Sequence, residues 1–434
     1  MNTGSSTLLV IGMLTAALAA VALLAMAVRE LGPRGGLSGR GRLLLAAGLG
    51  TGVLAFGGKL FIIVLVPALT DATEIPFHSR ADADRLLPAA YDASATTPLR
   101  YVWQALPTEA PAPPDNAPSA DKIALGERLF FDQDLSRDGS VACASCHDLY
   151  DGAGTDRLST SVGIEDRRGR RNAPTVWNAA FQAVLFWDGR AASLEEQAKG
   201  PFVNPDEMGM PTLAEVERRV AAKAGYRAAF AQVFGGENPI TIDNIAAAIA
   251  AYERTLITPD TAYDRFVRGD RKALTPTQIR GMALFETVGC IGCHSGPNFS
   301  GASVFDASAP LRLFPATDTP YSRRFALLED GGRAGADGKP GVWRIPSLRN
   351  VALTAPYFHN GSVERLEDAV RVMASAQLGR PTEPDPAAER PAHWSDADGT
   401  LRHVRRPVLS DAEVRDIVAF LESLSSDRLI RKQM

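Results

Sequence analysis

Cys143-Ala-Ser-Cys146-His147 and Cys290-Ile-Gly-Cys293-His294 decide how this 434-residue chain is to be read, and together they use every cysteine in it. Cys-x-x-Cys-His is the attachment signature of c-type haem. Two thiols three positions apart can bond covalently to the two vinyl groups of one porphyrin, and the adjacent His then reaches the iron. One such pair alone could instead be a redox dithiol or half of a zinc site. Two copies, each followed by His and separated by 144 residues with no further cysteine, disfavour both alternatives.

Outward from the motifs, the sequence repeats. Lys122 to Phe131 contains Ala-Leu-Gly-Glu-Arg-Leu-Phe-Phe shortly before the first motif, and Gln278 to Phe285 contains Gly-Met-Ala-Leu-Phe shortly before the second. Each half thus feeds a Leu-Phe-ended helix into a haem motif, which predicts two related domains in tandem. Ser119 can cap a helix running to about Phe131. Similar apolar spacing predicts helices over 212–234, 241–256, 275–285, 366–376 and 410–423, whereas 150–175, 297–342 and 380–407 are rich in Gly, Asp, Arg and Pro and give no periodicity. Loops that long are uncommon unless they wrap something or form a site. The expected fold is therefore mainly α, with two tandem cytochrome c-like haem domains at 119–265 and 266–434.

The composition, 45% hydrophobic and 22% charged, is that of a globular protein, and four cysteines are too few for a disulfide scaffold. A net charge of −4 offers no general basic field for nucleic acid. Leu8 to Val28 is 21 residues without a charge, enough to cross a hydrocarbon core of about 30 Å. Leu43 to Leu69 is a second apolar stretch in which Lys59 is the one charge; that lysine either snorkels or marks a contact with another subunit or a quinone. The loop between the two stretches carries four Arg against one Glu, which makes it cytoplasmic by the positive-inside rule. A transmembrane helical hairpin (1–70) is expected to anchor the rest of the chain in the bacterial inner membrane, facing the periplasm. Residues 71–118, with Pro107-Thr-Glu-Ala-Pro-Ala-Pro-Pro114, read as a Pro-rich spacer.

The sixth position on each iron decides function: a Met or His there makes an electron-transfer haem, and an open position makes a site for a small oxidant. Spacing alone does not choose among the methionines. Met208, Met210, Met282 and Met373 can all be core residues.

Four stretches carry a family likeness: Leu125 to His147, Arg171-Asn-Ala-Pro-Thr-Val-Trp-Asn178, Phe186-Trp-Asp-Gly-Arg190, and Pro346 to Gly361 with its Pro-Tyr-Phe-His segment. They resemble the bacterial di-haem cytochrome c peroxidase family, which includes the methylamine-utilisation (MauG-type) di-haem enzymes. The likeness spans about residues 119–425. It implies a peroxidatic haem in the first domain with His147 as proximal ligand, and an electron-transfer haem in the second with His294. Ala369-Val-Arg-Val-Met373 matches the family's methionine pattern, which implies Met373 as the sixth ligand of the second haem. The methylamine branch has Tyr in that role. The likeness further implies Glu207 as the distal acid–base group, Trp187 as a relay between the haems, and Gln197 and Arg190 near the catalytic haem. It implies one calcium ion held by the Asn172 side chain and the carbonyls of Thr354 and Pro356.

One departure stands out. Many members read Ser-Ile-Gly-His after the first haem motif, with that His closing the resting iron; here the segment is Ser161-Val-Gly-Ile164. Ile cannot ligate iron, so the resting catalytic haem is expected to be open. The expected reaction is reduction of hydrogen peroxide to water with electrons from a cytochrome c, a cupredoxin or membrane quinol, and family likeness allows a homodimer. A MauG-type oxidase acting on a protein and a non-catalytic di-haem carrier are the alternatives.

Overall fold

The computed structural model describes residues 101–433 apart from 335–337, 339, 383–391, 396–400 and 405–407. The expected membrane hairpin and the spacer up to residue 100 lie outside the described residues, among which no helix is long and apolar enough to cross a membrane. The helices are α1 (Ala120–Phe130), α2 (Cys143–Cys146), α3 (Leu194–Val203), α4 (Leu213–Ala222), α5 (Ala224–Phe234), α6 (Ile242–Glu253), α7 (Ala262–Val267), α8 (Pro276–Val288), α9 (Pro320–Arg324), α10 (Leu366–Val372), α11 (Asp411–Glu422) and α12 (Asp427–Gln433). Two short antiparallel pairs join them, β1 (Leu311–Leu313) with β2 (Val342–Arg344) and β3 (Ala392–Ser395) with β4 (Leu401–Val404).

Local sequence sets the helix starts. Ser119 caps α1 by accepting from the Lys122 amide, and Thr241 caps α6 by accepting from the Asn244 amide. Capping boxes of Thr275 with Gln278 and of Ser410 with Glu413 open α8 and α11. In each half the helix before the haem motif packs across a later one, α1 on α6 and α8 on α11. The same residue type makes both crossings possible. A Cβ on Gly126 would run into the Ala248 carbonyl and come within 2.9 Å of Tyr252 Cβ. A Cβ on Gly281 would run into the Asp416 carbonyl and come within 2.9 Å of Phe420 Cβ. The tandem repeat is thus a repeated close helix crossing.

The predicted 212–234 helix is two helices. The break falls at Lys223, whose extended backbone (ψ 115°) ends α4 and whose ammonium bridges Asp132 at 2.8 Å and Asp134 at 2.6 Å. The predicted helix over 366–376 is α-helical only to Val372 and continues as a π turn over Met373–Gln377.

The spacer expectation needs correction over its last part. Trp103 is 4% exposed and Leu106 is fully buried. Trp103 packs among Phe285, Phe299 and Phe420 of the second half, at ring distances of 5.7–6.4 Å. The Leu106 amide donates to Asp264 Oδ1 at 2.8 Å. From residue 101 onward this stretch belongs to the folded body. The other end of the chain crosses back: Leu429 of α12 is fully buried in the first-half core with Leu125, Phe130 and Trp177. The Arg428 guanidinium lies 5.3 Å from the centre of the Trp177 ring. Each half therefore borrows a strap from the far end of the sequence.

Between the halves, Asp264 on α7 and Arg349 form a two-pronged ion pair at 2.8 and 2.9 Å with both side chains fully buried. Burial alone would raise the Asp264 carboxyl. The Arg349 charge and its hydrogen bonds outweigh that effect and hold the group below the ordinary value.

Candidate active site

A single cavity of about 1020 Å³ is lined by the Cys-x-x-Cys-His residues of both halves. That is at the upper end for small-molecule and cofactor sites. In the first half, α2 carries Cys143 and Cys146, and the Ser145 hydroxyl closes its first turn on the Ala142 amide at 2.9 Å. In the second, Gly289 takes a left-handed conformation (φ 106°) that ends α8 and starts the turn Cys290–Gly292. The His147 amide donates to the Cys143 carbonyl and the His294 amide to the Cys290 carbonyl, each at 3.0 Å. Both motifs therefore make the same turn.

The imidazoles are held alike too. His147 Nδ1 lies 3.1 Å from the Gly154 carbonyl and His294 Nδ1 lies 3.2 Å from that of Phe299. With Nδ1 as donor, Nε2 keeps its lone pair for a metal. Burial keeps both rings neutral, lowering His147 and bringing His294 down to about 4. It also pushes the Cys143 and Cys290 thiols up to about 12 and Cys146 to about 11. A large cavity walled by four unpaired thiols and two neutral imidazoles fits two thioether-linked, histidine-ligated haems.

The far sides differ. Glu207, Gln197 and Arg190 line the cavity in the first half. Glu207 rides on a loop organised by Asn204. That residue's carbonyl accepts from the Glu207 and Gly209 amides, its Oδ1 from the Asp206 amide, and its Nδ2 donates to Glu207 Oε1 at 2.5 Å. Burial raises the Glu207 carboxyl, and the Asn204 bond and the Arg190 charge only partly offset this. Arg190 is tied to Asp188 at 2.9 Å and sits over the Phe186 ring. Ile164 is fully buried but does not line the cavity. Its amide donates to the Glu207 carbonyl, and its Cδ1 fills the space a side chain on Gly209 would need. Among the described residues, the histidine side chains lining the cavity are 147, 294 and 359.

In the second half Met373 lines the cavity at the first position of the π turn. Single π turns inside helices are frequent at functional sites, because the extra residue re-aims one side chain. Met210 and Met282 are buried in the core, at 2% and 4% exposure, whereas Met208, 4% exposed and packed in the first-half core, also lines the cavity next to Glu207 in sequence.

Trp187 lines the same cavity, with its indole donating to the Asn172 carbonyl at 2.8 Å. Its ring meets His359 edge-on at 6.5 Å, and His359 stacks on Trp343 at 4.0 Å. Arg171 holds this region by pairing with Asp330 at 2.6 Å and Asp188 at 2.9 Å. Asn172, Thr354 and Pro356 line the same cavity, and Asn172 Nδ2 donates to the Leu158 carbonyl at 2.8 Å. Among the described residues no group of three His, Cys, Asp or Glu could hold a metal ion, so a cation here would depend on amide and carbonyl oxygens. Asn204 and the aromatic stack on His359 were missed from sequence. Asn-Pro marks a turn, but nothing in it announces a bond to a residue three positions on.

Comparison with known proteins agrees with this arrangement. Residues 120–272 match the family described as di-haem cytochrome c peroxidase. Cytochrome c551 peroxidase of Nitrosomonas europaea is 39% identical over 291 residues, covering 67% of this chain and 84% of that protein. Cytochrome c551 peroxidase of Pseudomonas aeruginosa is 42% identical over 298 residues, covering 67% and 82%. Among solved structures, a MauG-like protein associated with microbial copper homeostasis superposes with a TM-score of 0.60 at 29% identity, covering 77% of this chain and 97% of that one. A shared helical frame, two haem-binding turns on one cavity and this level of identity lead to one conclusion: the chain belongs to the di-haem cytochrome c peroxidase family.

Proposed function

We propose that this protein reduces hydrogen peroxide to water with two single-electron donations, H2O2 + 2 e⁻ + 2 H⁺ → 2 H2O. Each haem would be held by its own motif, one by Cys143, Cys146 and His147, the other by Cys290, Cys293, His294 and Met373. The haem iron at His147 supplies the centre at which the O–O bond is cleaved. Glu207 carries the reading, as a buried acid lining the same cavity as the first motif, with one oxygen fixed by Asn204. It takes a proton from one peroxide oxygen and returns it to the departing one, work suited to a carboxyl raised toward the operating pH. Gln197 and Arg190 line its surroundings and position the oxidant.

Met373 is the residue proposed to ligate the second haem, where sulfur ligation would raise the potential as suits an electron reservoir. Trp187, on the same cavity, is the proposed relay. With Ile164 at the position that carries a closing histidine in many relatives, a hydrocarbon turned into the core, the first iron would be left open at rest. Asn172, Thr354 and Pro356 are the proposed calcium ligands, stiffening the wall between the halves. The electron donor is a small cytochrome c, a cupredoxin or membrane quinol. The basic 29–42 loop supports an inner-membrane anchor with the catalytic part in the periplasm.

Steady-state peroxide consumption with a reduced donor tests the reading. Turnover that Glu207→Gln abolishes while both haems stay attached supports it. Survival of activity in that variant contradicts it. A MauG-type oxidase of a protein partner is disfavoured because the position at which that branch has Tyr is held by Met373, which lines the cavity.

A further inference from the structure

Glu253, at the C-terminal end of α6, has no role in the chemistry above. It lines the cavity, it is only 5% exposed, and its Oε2 has no hydrogen-bond partner. A carboxylate buried without a partner is strongly disfavoured, and such groups neutralise themselves by holding a proton. The nearest cation does not resolve this. The Arg254 guanidinium pairs with Glu195 of α3 at 2.7 Å, and Glu195 also accepts from Asn116 at 2.7 Å. The charge facing Glu253 is thus Arg254 set against Glu195, with the neutral Cys143 thiol on the α2 side and Glu127 of α1 beside the neighbouring Tyr252. Glu253 is close enough to Cys143 for its charge to raise that thiol, so it lies beside the edge at which the first haem is attached.

We propose that Glu253 is a redox-linked proton site for the haem attached at Cys143 and Cys146. When that haem takes an electron from the donor, the carboxylate takes a proton from solvent, and it gives the proton back on reoxidation. The step is Fe(III) + e⁻ + Glu253–COO⁻ + H⁺ → Fe(II) + Glu253–COOH; one O–H bond forms and iron is the group reduced. An electron added in a poorly screened interior raises the proton affinity of a nearby carboxylate. Burial already holds this carboxyl at about 8, so the uptake operates around and above that pH, and well below it the group keeps its proton in both redox states. The inference rests on haem attachment at the first motif and not on the peroxidase reading, so the two can fail separately.

The test is a spectroelectrochemical titration of the full-length, haem-loaded protein across the pH range on either side of about 8. Glu207 is a rival group on the same cavity, so both variants are needed. In the wild type, the first haem's potential should fall with rising pH by up to a tenfold change per pH unit, about 59 mV for one electron. Glu253→Gln should flatten that slope, Glu253→Asp should keep it at a displaced pH, and Glu207→Gln should leave it in place. A wild-type slope persisting in Glu253→Gln, or lost instead in Glu207→Gln, overturns the proposal. If Glu253→Gln does not load haem, the infrared difference spectrum of the wild type decides. At a pH above about 8 a protonated-carboxyl band must appear on reduction and persist in Glu207→Gln, and its absence from either protein overturns the proposal.

Discussion

The two halves share a frame and differ on one side of it. Each has a glycine-permitted helix crossing, at Gly126 or Gly281, and the same haem-binding turn with its His Nδ1 on a backbone carbonyl. In the rest of the cavity lining, the first half offers Glu207 on a hydrogen-bonded loop and the second offers Met373 on a π turn. The difference teaches that attachment and reactivity can be separated. On the proposed reading the repeated frame holds a cofactor, and the residues that differ between the halves set whether it can meet an oxidant.

The largest effect expected from breaking this contrast is chemical. Glu207→Gln should lower peroxide turnover by about 10²–10⁴-fold, the range for a lost general acid–base group. Both haems should remain attached, as read by mass spectrometry. Met373→Ala should act on the other half, removing the low-spin spectrum assigned to the second haem while leaving that of the first unchanged.

Next is the joint between the halves. Arg349→Met leaves Asp264 buried and unpaired and should cost about 3–5 kcal/mol in denaturant unfolding. Removing both partners with Arg349→Met and Asp264→Leu should restore much of that loss. The Asp264 carboxyl is held below its ordinary value in the folded state. Its contribution is therefore present above the unfolded pKa of about 3.9 and fades as pH falls through the lower folded value. The wild type should lose this increment in acid, and the double variant should not.

Smaller still are the crossings themselves. Gly126→Ala and Gly281→Ala should each destabilise by about 1–3 kcal/mol, because the methyl meets backbone that cannot give way. A large cost in one half alone would show that the frames are not equivalent. The smallest effect is expected at Asn204. Asn204→Ala removes two hydrogen bonds, of which the one to Glu207 acts on the acid itself and is worth about 0.5–1.5 kcal/mol, so turnover should drop by about tenfold or less. Because that bond lowers the Glu207 carboxyl, the pH profile should also move toward higher pH.

What the sequence disclosed and what it hid follow a physical line. The motifs, the helix starts and the Leu-Phe repeat are local, set by spacing and caps, and were legible. Glu207 and Met373 became legible through family likeness, since spacing alone left Met373 a core residue. Long-range partners stayed hidden. Trp103 and Leu429, at opposite ends of the described chain, each pack into the half more distant in sequence, and no local pattern encodes that exchange. The break at Lys223 depends on Asp132 and Asp134, some ninety residues earlier. The π turn over Met373–Gln377 looks in sequence like one more turn of the same helix.

The central claim is that one iron is open beside Glu207 and the other is capped by Met373. Electron paramagnetic resonance of the fully oxidised, haem-loaded protein tests it directly. One high-spin and one low-spin ferric signal of equal weight are predicted; two low-spin signals would contradict the account.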